Sequence, residues 1–218
     1  MEERQNDFAY RLSVKKISNK HMTGSHTKKF LFFHLYKVAG CSLVNALLPS
    51  ADFRSENPHL KPSEVLSDPE GKKIFEDYYT FAFVRNPWDW QVSLYEYMRG
   101  TPDHPEHELC MSKNFDEYIE WRVSDHQFRD GTNLQSQYSF LSDDGTEQSP
   151  ISLDFVGRFE RIGQDFTELR LRLGIEGELP HVNKSKRKKN YRDYYSTKSR
   201  DQIAAAARID IDTFNYEF

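Results

Sequence analysis

Two segments end an apolar run near a cation and then open a helix. In FLFFHLYKVAGCSL, residues 30–43, Lys37 precedes the small residues Ala39, Gly40, Cys41 and Ser42. In YYTFAFVRNPWDWQVSLYEYM, residues 78–98, Arg85 precedes Asn86 and Pro87, and Ser93 follows two turns into the helix. A helix N-terminus presents unpaired backbone N–H groups and a partial positive charge, so a cation at such a corner is suited to an anion. In open α/β sheets ligands bind beyond the carboxyl ends of the strands, where both corners point. Two such corners suit a ligand with an anion at each end.

Neither corner matches the common nucleotide loops. The pattern G-x-x-x-x-G-K-[ST] is absent, because no glycine precedes the loop and the lysine stands at its start rather than its end. The dinucleotide pattern G-x-G-x-x-G is also missing. The eight histidines are scattered without H-x-x-x-H spacing, and the two cysteines, Cys41 and Cys110, are too few for a disulfide framework or a metal cluster. No metal is expected. A formal net charge of −4 argues against a wholesale polyanion binder, so anion binding must be local.

The elements that position these corners follow from pattern. The chain has 218 residues, 37% of them hydrophobic and 14% aromatic, enough to build one substantial domain. Residues 1–28 are polar with weak periodicity and read as an N-terminal arm, leaving a single domain over 29–218. Strands are expected at Phe30–Leu35, at 78–85 and near Leu153–Val156. Helices are expected at Ser42–Leu48, from Asn86 as N-cap with Pro87 at the first position, over FDEYIEWRV, over 163–174 with Gly174 closing it, and from Lys198 to Phe214. Four prolines in 49–70 disfavour a long helix there, apart from one short turn. Residues 100–113 read as a Pro/His/Glu-rich loop, and 175–196 as a basic one. Alternating strands and helices predict an α/β fold with a mainly parallel sheet. The charged start has no apolar stretch of signal-peptide type, and no run approaches a transmembrane length, so a cytoplasmic setting is expected.

Taken together, FFHLYKVAGCSL and FAFVRNPWDWQVSLYEYM resemble the two nucleotide-binding signatures of sulfotransferases that use 3′-phosphoadenosine 5′-phosphosulfate (PAPS). DFVGRFERIGQDF and the ending LPHVNKSKRKKNYRDYYS…DIDTFNYEF are similar to the carbohydrate-type branch of that family. The resemblance covers roughly residues 30–218 and implies a P-loop-NTPase-like central parallel sheet flanked by helices. It implies an enzyme that moves a sulfuryl group from PAPS to an acceptor hydroxyl, on a carbohydrate in that branch, leaving adenosine 3′,5′-bisphosphate (PAP).

Residue by residue, the resemblance assigns Lys37 to the phosphosulfate bridge and the leaving phosphate. The backbone of Ala39, Gly40, Cys41 and Ser42, with the Ser42 hydroxyl, would cradle the 5′-phosphate. Arg85 and Ser93 would hold the 3′-phosphate. Two positions depart from the pattern: Tyr36 stands where proline is common, and Cys41 where a hydroxyl residue usually donates. A thiol is the weaker donor. The base that takes the acceptor's proton is assigned to His59, in ENPHLKPSEV, because related carbohydrate enzymes carry a histidine in a similar context. Glu56, His104 and His107 are the alternatives, and His34 reads as structural.

Plainer readings stand beside these. Arg85 has Asp89 within reach as an ordinary helix ion pair, and Ser93 is small enough to be a packing residue. Arg158, Phe159 and Glu160 are candidates to line an adenine pocket, and equally a strand end held by an internal ion pair. The run KSKRKKNYR, 184–192, holds six cations in nine residues. It reads as a solvated loop, as a nucleic-acid patch with Tyr191, Tyr194 and Tyr195 nearby, or as a loop that folds Lys184, Ser185 and Lys186 over the cofactor's 3′-phosphate or meets an anionic acceptor. Acidity and the resemblance favour the last. Two rivals to the enzyme remain: a catalytically silent nucleotide-binding scaffold on the same fold, and a nucleic-acid module built on 184–192.

Overall fold

A computed structural model describes residues 23–55, 57, 59–124, 136–176, 178–180 and 190–218. The elements run β1 (Thr23–Ser25), β2 (Phe30–Phe33), α1 (Gly40–Leu47), β3 (Phe53–Arg54), α2 (Pro62–Leu66), α3 (Pro69–Asp77), β4 (Tyr79–Val84), α4 (Pro87–Arg99), α5 (His107–Ser112), α6 (Phe115–Ser124), α7 (Gln137–Leu141), β5 (Phe155–Arg158), α8 (Ile162–Leu173), α9 (Thr197–Ala206) and α10 (Arg208–Phe214). Backbone packing divides the chain into two compact units, one of Met1–Val84 with Ser139–Asn183 and one of Arg85–Tyr138 with Lys184–Phe218.

The first unit holds a five-stranded sheet in the order β3-β1-β2-β4-β5. β2 pairs parallel with β4, and β4 parallel with β5. β1 runs antiparallel to both its neighbours, β2 and β3. The fold is therefore α/β with helices flanking the sheet, as expected, but the sheet is mixed rather than parallel throughout. The missed strands explain this. β1 is only TGS, and its Thr23 and Ser25 are polar yet buried, so it carries no apolar alternation to read. It also shortens the expected arm, since the chain is in the sheet from Thr23 on. Ser25 is accommodated because its hydroxyl donates to Asp52, 3.1 Å away.

The core is aromatic. Phe30, Phe32 and Phe33 of β2 and Phe81 and Phe83 of β4 are fully buried, and the rings of Phe32 and Phe81 stack with centroids 5.2 Å apart. Strands buried on both faces read as continuous apolar runs, which is why both were legible. The proline-rich stretch holds no long helix, as expected, but its last two prolines open short ones, and α3 runs on beyond it. Pro62 and Pro69 begin α2 and α3 at the position where a missing N–H costs nothing, and Asp68 caps α3 by accepting from the amides of Glu70 and Gly71. Gly174, with φ of 59°, closes α8 as expected.

The second unit is helical. Asn86 caps α4 by accepting from the amides of Trp88 and Asp89. The Tyr195 hydroxyl donates to the Trp88 carbonyl (2.8 Å), and the Trp88 indole donates to the carbonyl of Arg200 (3.0 Å). The expected loop at 100–113 contains α5, and the single last helix is two, α9 and α10, broken at Ala207.

Candidate active site

The corner after β2 is built of backbone. Between Phe33 and Gly40 the chain turns with Lys37 at φ of 61° and Ala39 at φ of 63°, both in the left-handed region. Non-glycine residues seldom take that conformation, and it stores strain of order 1 kcal/mol at each. The Ala39 carbonyl accepts from the amides of Ser42 (2.9 Å) and Leu43 (3.1 Å). The amides of Gly40 and Cys41, at the first turn of α1, have no acceptor within that helix by geometry. No acidic residue stands in this first turn. Cys41 is exposed and the Ser42 side chain is buried. A cationic side chain, outward amides and no carboxylate make a donor set that fits a phosphate or sulfate oxygen and repels a cation.

Gly40 has its own reason. A Cβ there would lie 1.5 Å from Nε2 of His34, so the imidazole occupies the space any side chain would need. His34 thus braces the first turn of the helix. Its Nδ1 is closed to solvent without a partner among the described residues, and burial, with the charge of His59 second, lowers its pKa to about 3. The imidazole is neutral at any physiological pH.

His59 stands against the same loop. Its ring lies 4.9 Å from that of His34 and 5.1 Å from that of Tyr36, centroid to centroid. Nδ1 is 2.8 Å from the His34 carbonyl oxygen, which can only accept, so Nδ1 carries the proton and Nε2 is the basic nitrogen. The turn that brings it there is tied internally: the Ser55 hydroxyl donates to the Asn57 carbonyl, and the Asn57 side chain accepts from the His59 amide at 3.0 Å. Burial lowers the His59 pKa, partly offset by the hydrogen bond to His34. The ring is held neutral, in the tautomer a general base needs.

The corner after β4 is built of side chains. Arg85 and Asp89 are both buried and paired, with Nη2 2.6 Å and Nε 2.8 Å from one Asp89 oxygen. The Arg85 backbone is bracketed by Gln137, whose Oε1 accepts from its amide (2.8 Å) while Nε2 donates to its carbonyl (2.7 Å). Asp210 in turn accepts from the amides of Gln137 (3.0 Å) and Tyr138 (2.8 Å). The ion pair is thus present as the plainer reading had it, and it also fixes the guanidinium's direction. Ser93 is half-buried on α4.

Arg158 ends β5, and its amide donates to buried Asp165 at 2.6 Å. Arg161, three residues on, pairs with the same carboxylate at 2.9 Å. Of the other candidate bases, Nδ1 of His107 is hydrogen-bonded to the Met98 carbonyl (2.9 Å) and Nδ1 of His104 accepts from the Glu106 amide (3.1 Å), both in the second unit. Lys184, Ser185, Lys186 and Glu56 lie outside the described residues. Sequence reasoning missed Gln137, which touches no motif, gave no role to Asp210 in DIDTFNYEF or Asn57 in ENPHLKPSEV, and passed over Arg54, taken up below.

An α/β sheet whose parallel strands β2 and β4 each lead through a corner into a helix defines the class: a protein of P-loop-like fold. A family model described as "Sulfotransferase family" matches residues 20–217, and the chain belongs to that family. An uncharacterized protein of Archaeoglobus fulgidus is 28% identical over 118 residues, covering 54% of this chain and 86% of its own length. No solved structure matches. The chain is therefore a sulfuryl transferase by family. No helix among the described residues is long and apolar enough to cross a membrane.

Proposed function

We propose that the protein transfers the sulfuryl group of PAPS to an acceptor hydroxyl on a carbohydrate. The observation that carries this reading is the placement of His59: a neutral imidazole with its basic Nε2 unengaged by the bond to His34, packed against the loop that the family uses for the 5′-phosphosulfate. When bound, the donor supplies an electrophilic sulfur and a phosphate leaving group. Lys37 neutralises charge that grows on the bridging oxygen as that phosphate departs, and the amides at the start of α1, with Ser42, hold the 5′-phosphate. Arg85 and Ser93 take the 3′-phosphate. Because β2 and β4 are adjacent and parallel, their carboxyl ends leave the sheet at one edge, which supports one ligand engaging both corners. Arg158 and the 184–186 segment remain candidates for the nucleoside end.

His59 removes the acceptor proton as the oxygen attacks sulfur in line. Only interactions that strengthen in the transition state raise turnover, so Lys37→Ala should lower kcat more than donor affinity. The test is transfer from labelled PAPS across a panel of glycans, phenols and peptides, with the parent and His59→Ala. The parent should label a glycan. His59→Ala should lose about 10²–10⁴ in rate with PAP binding unchanged. The acid limb of the parent's profile should fall below pH 6.5, since the His59 pKa is lowered and the neutral form works. PAP binding without transfer to any acceptor would favour the silent scaffold instead.

A further inference from the structure

At the β3 edge the sheet carries a cation that neither corner uses. Arg54 ends β3 and is 7% exposed, yet Nε, Nη1 and Nη2 are all closed to solvent without a hydrogen-bond partner among the described residues. A guanidinium stripped of water with no acceptor is costly.

Its position is informative. β3 and β2 are both antiparallel to β1, so they point the same way, and Arg54 leaves the sheet at the edge where β2 enters its loop. Arg54 pairs with Thr23, and Thr23 with Phe32, so the three side chains share one face of the sheet. The Phe32 ring stacks on His34 (5.7 Å, 17°), which neighbours His59. Phe53, one residue earlier, takes the other face, its ring over Gly24. Arg54 therefore stands on the face of the two histidines, two strands or roughly 10 Å away at ordinary strand spacing. In the sheet order it also lies on the opposite side of β2 from β4 and β5. A donor reaching from the β2 loop toward β4 and β5 leaves the β3 side for whatever attacks the sulfur. Five residues after Arg54 comes His59 itself.

We infer that Arg54 is an acceptor-recognition residue, which binds an anionic substituent of the acceptor, a carboxylate or sulfate ester on a sugar next to the one whose hydroxyl His59 activates. This rests on the transfer reading above. A guanidinium matches such groups with two parallel hydrogen bonds, which a lysine does not reproduce. The nitrogens are closed to solvent, so binding includes a local opening beside them.

The experiment compares the parent, Arg54→Gln and Arg54→Met. Calorimetry with PAP is run first, then binding and transfer with a glucuronic acid–hexosamine polymer and with its carboxyl-reduced form. Arg54→Gln should bind PAP within twofold of the parent, and its KM for the acidic polymer should rise tenfold or more, with kcat changing less. The reduced polymer should be handled alike by parent and variant. Equal performance on the acidic polymer, equal losses on both polymers, or a parent that binds PAP but neither polymer would overturn the assignment while leaving the donor site intact. Failure of the parent to bind PAP would instead remove the reading beneath it. Thermal unfolding decides independently of any acceptor: Arg54→Met should melt at or above the parent, because it deletes an unpaired buried charge. A drop of several degrees would mark Arg54 as structural and end the proposal.

Discussion

The two corners proposed to bind the donor's anions are built by opposite means. After β2 the chain uses backbone: two left-handed non-glycine residues, outward amides and a glycine whose missing side chain is replaced by the His34 ring. After β4 it uses side chains: Arg85 locked by Asp89, its peptide bracketed by Gln137, and Gln137 hung on Asp210. A backbone cradle tolerates substitution, so Cys41 can stand where a hydroxyl is usual without removing the amides. A side-chain clamp does not, because each buried polar group depends on the next.

That difference gives the largest expected effect. Arg85→Ala takes the paired cation from the buried Asp89 carboxylate, which should cost about 3–5 kcal/mol in urea unfolding. The double variant Arg85→Ala/Asp89→Ala should recover much of that stability and none of the affinity for PAP. A double variant that regained PAP binding would show that Arg85 serves packing alone.

Acid should separate the corners next. Folded His34 takes a proton only near pH 3, whereas in the unfolded chain it does so near 6.5. The unfolded chain binds more protons between those values, so stability is fully present above 6.5. It should fall as the pH drops through the window, by up to about 1.4 kcal/mol per unit. His34→Phe should flatten that slope in denaturant titrations at several pH values. A slope unchanged by the substitution would place the acid sensitivity elsewhere.

The smallest effect should come from Ala39→Gly. Relief of the left-handed strain, less the added freedom of the unfolded chain, should stabilise by up to about 1 kcal/mol. A loss of stability in chemical denaturation would mean the loop is held by contacts of the Ala39 methyl rather than against its backbone preference.

Legibility followed the same divide. The strands β2 and β4 were readable because burial on both faces leaves an unbroken apolar run, and Asn86-Pro87 announced α4 because its cap is local. β1 and β3 were not, since three and two residues carry no period and Thr23, Ser25 and Arg54 are buried polar groups. At the candidate site, the Arg85–Asp89 pair is four residues apart and visible as such. Its supports are not: Gln137 lies 52 residues beyond Arg85, and Asp210 a further 73. The reason for Gly40 was equally hidden, because a close approach by His34 leaves no mark in a sequence that a loop glycine would not leave anyway.

The central proposal is that the donor is a nucleotide whose two phosphates are each recognised. Calorimetric titration of the parent protein with PAP, adenosine 5′-phosphate and adenosine 3′-phosphate tests it most directly. Charged hydrogen bonds carry about 1.5–3 kcal/mol each, so deleting either phosphate should weaken binding at least about tenfold. PAP binding no tighter than either monophosphate, or ATP displacing it at equal concentration, would contradict the account.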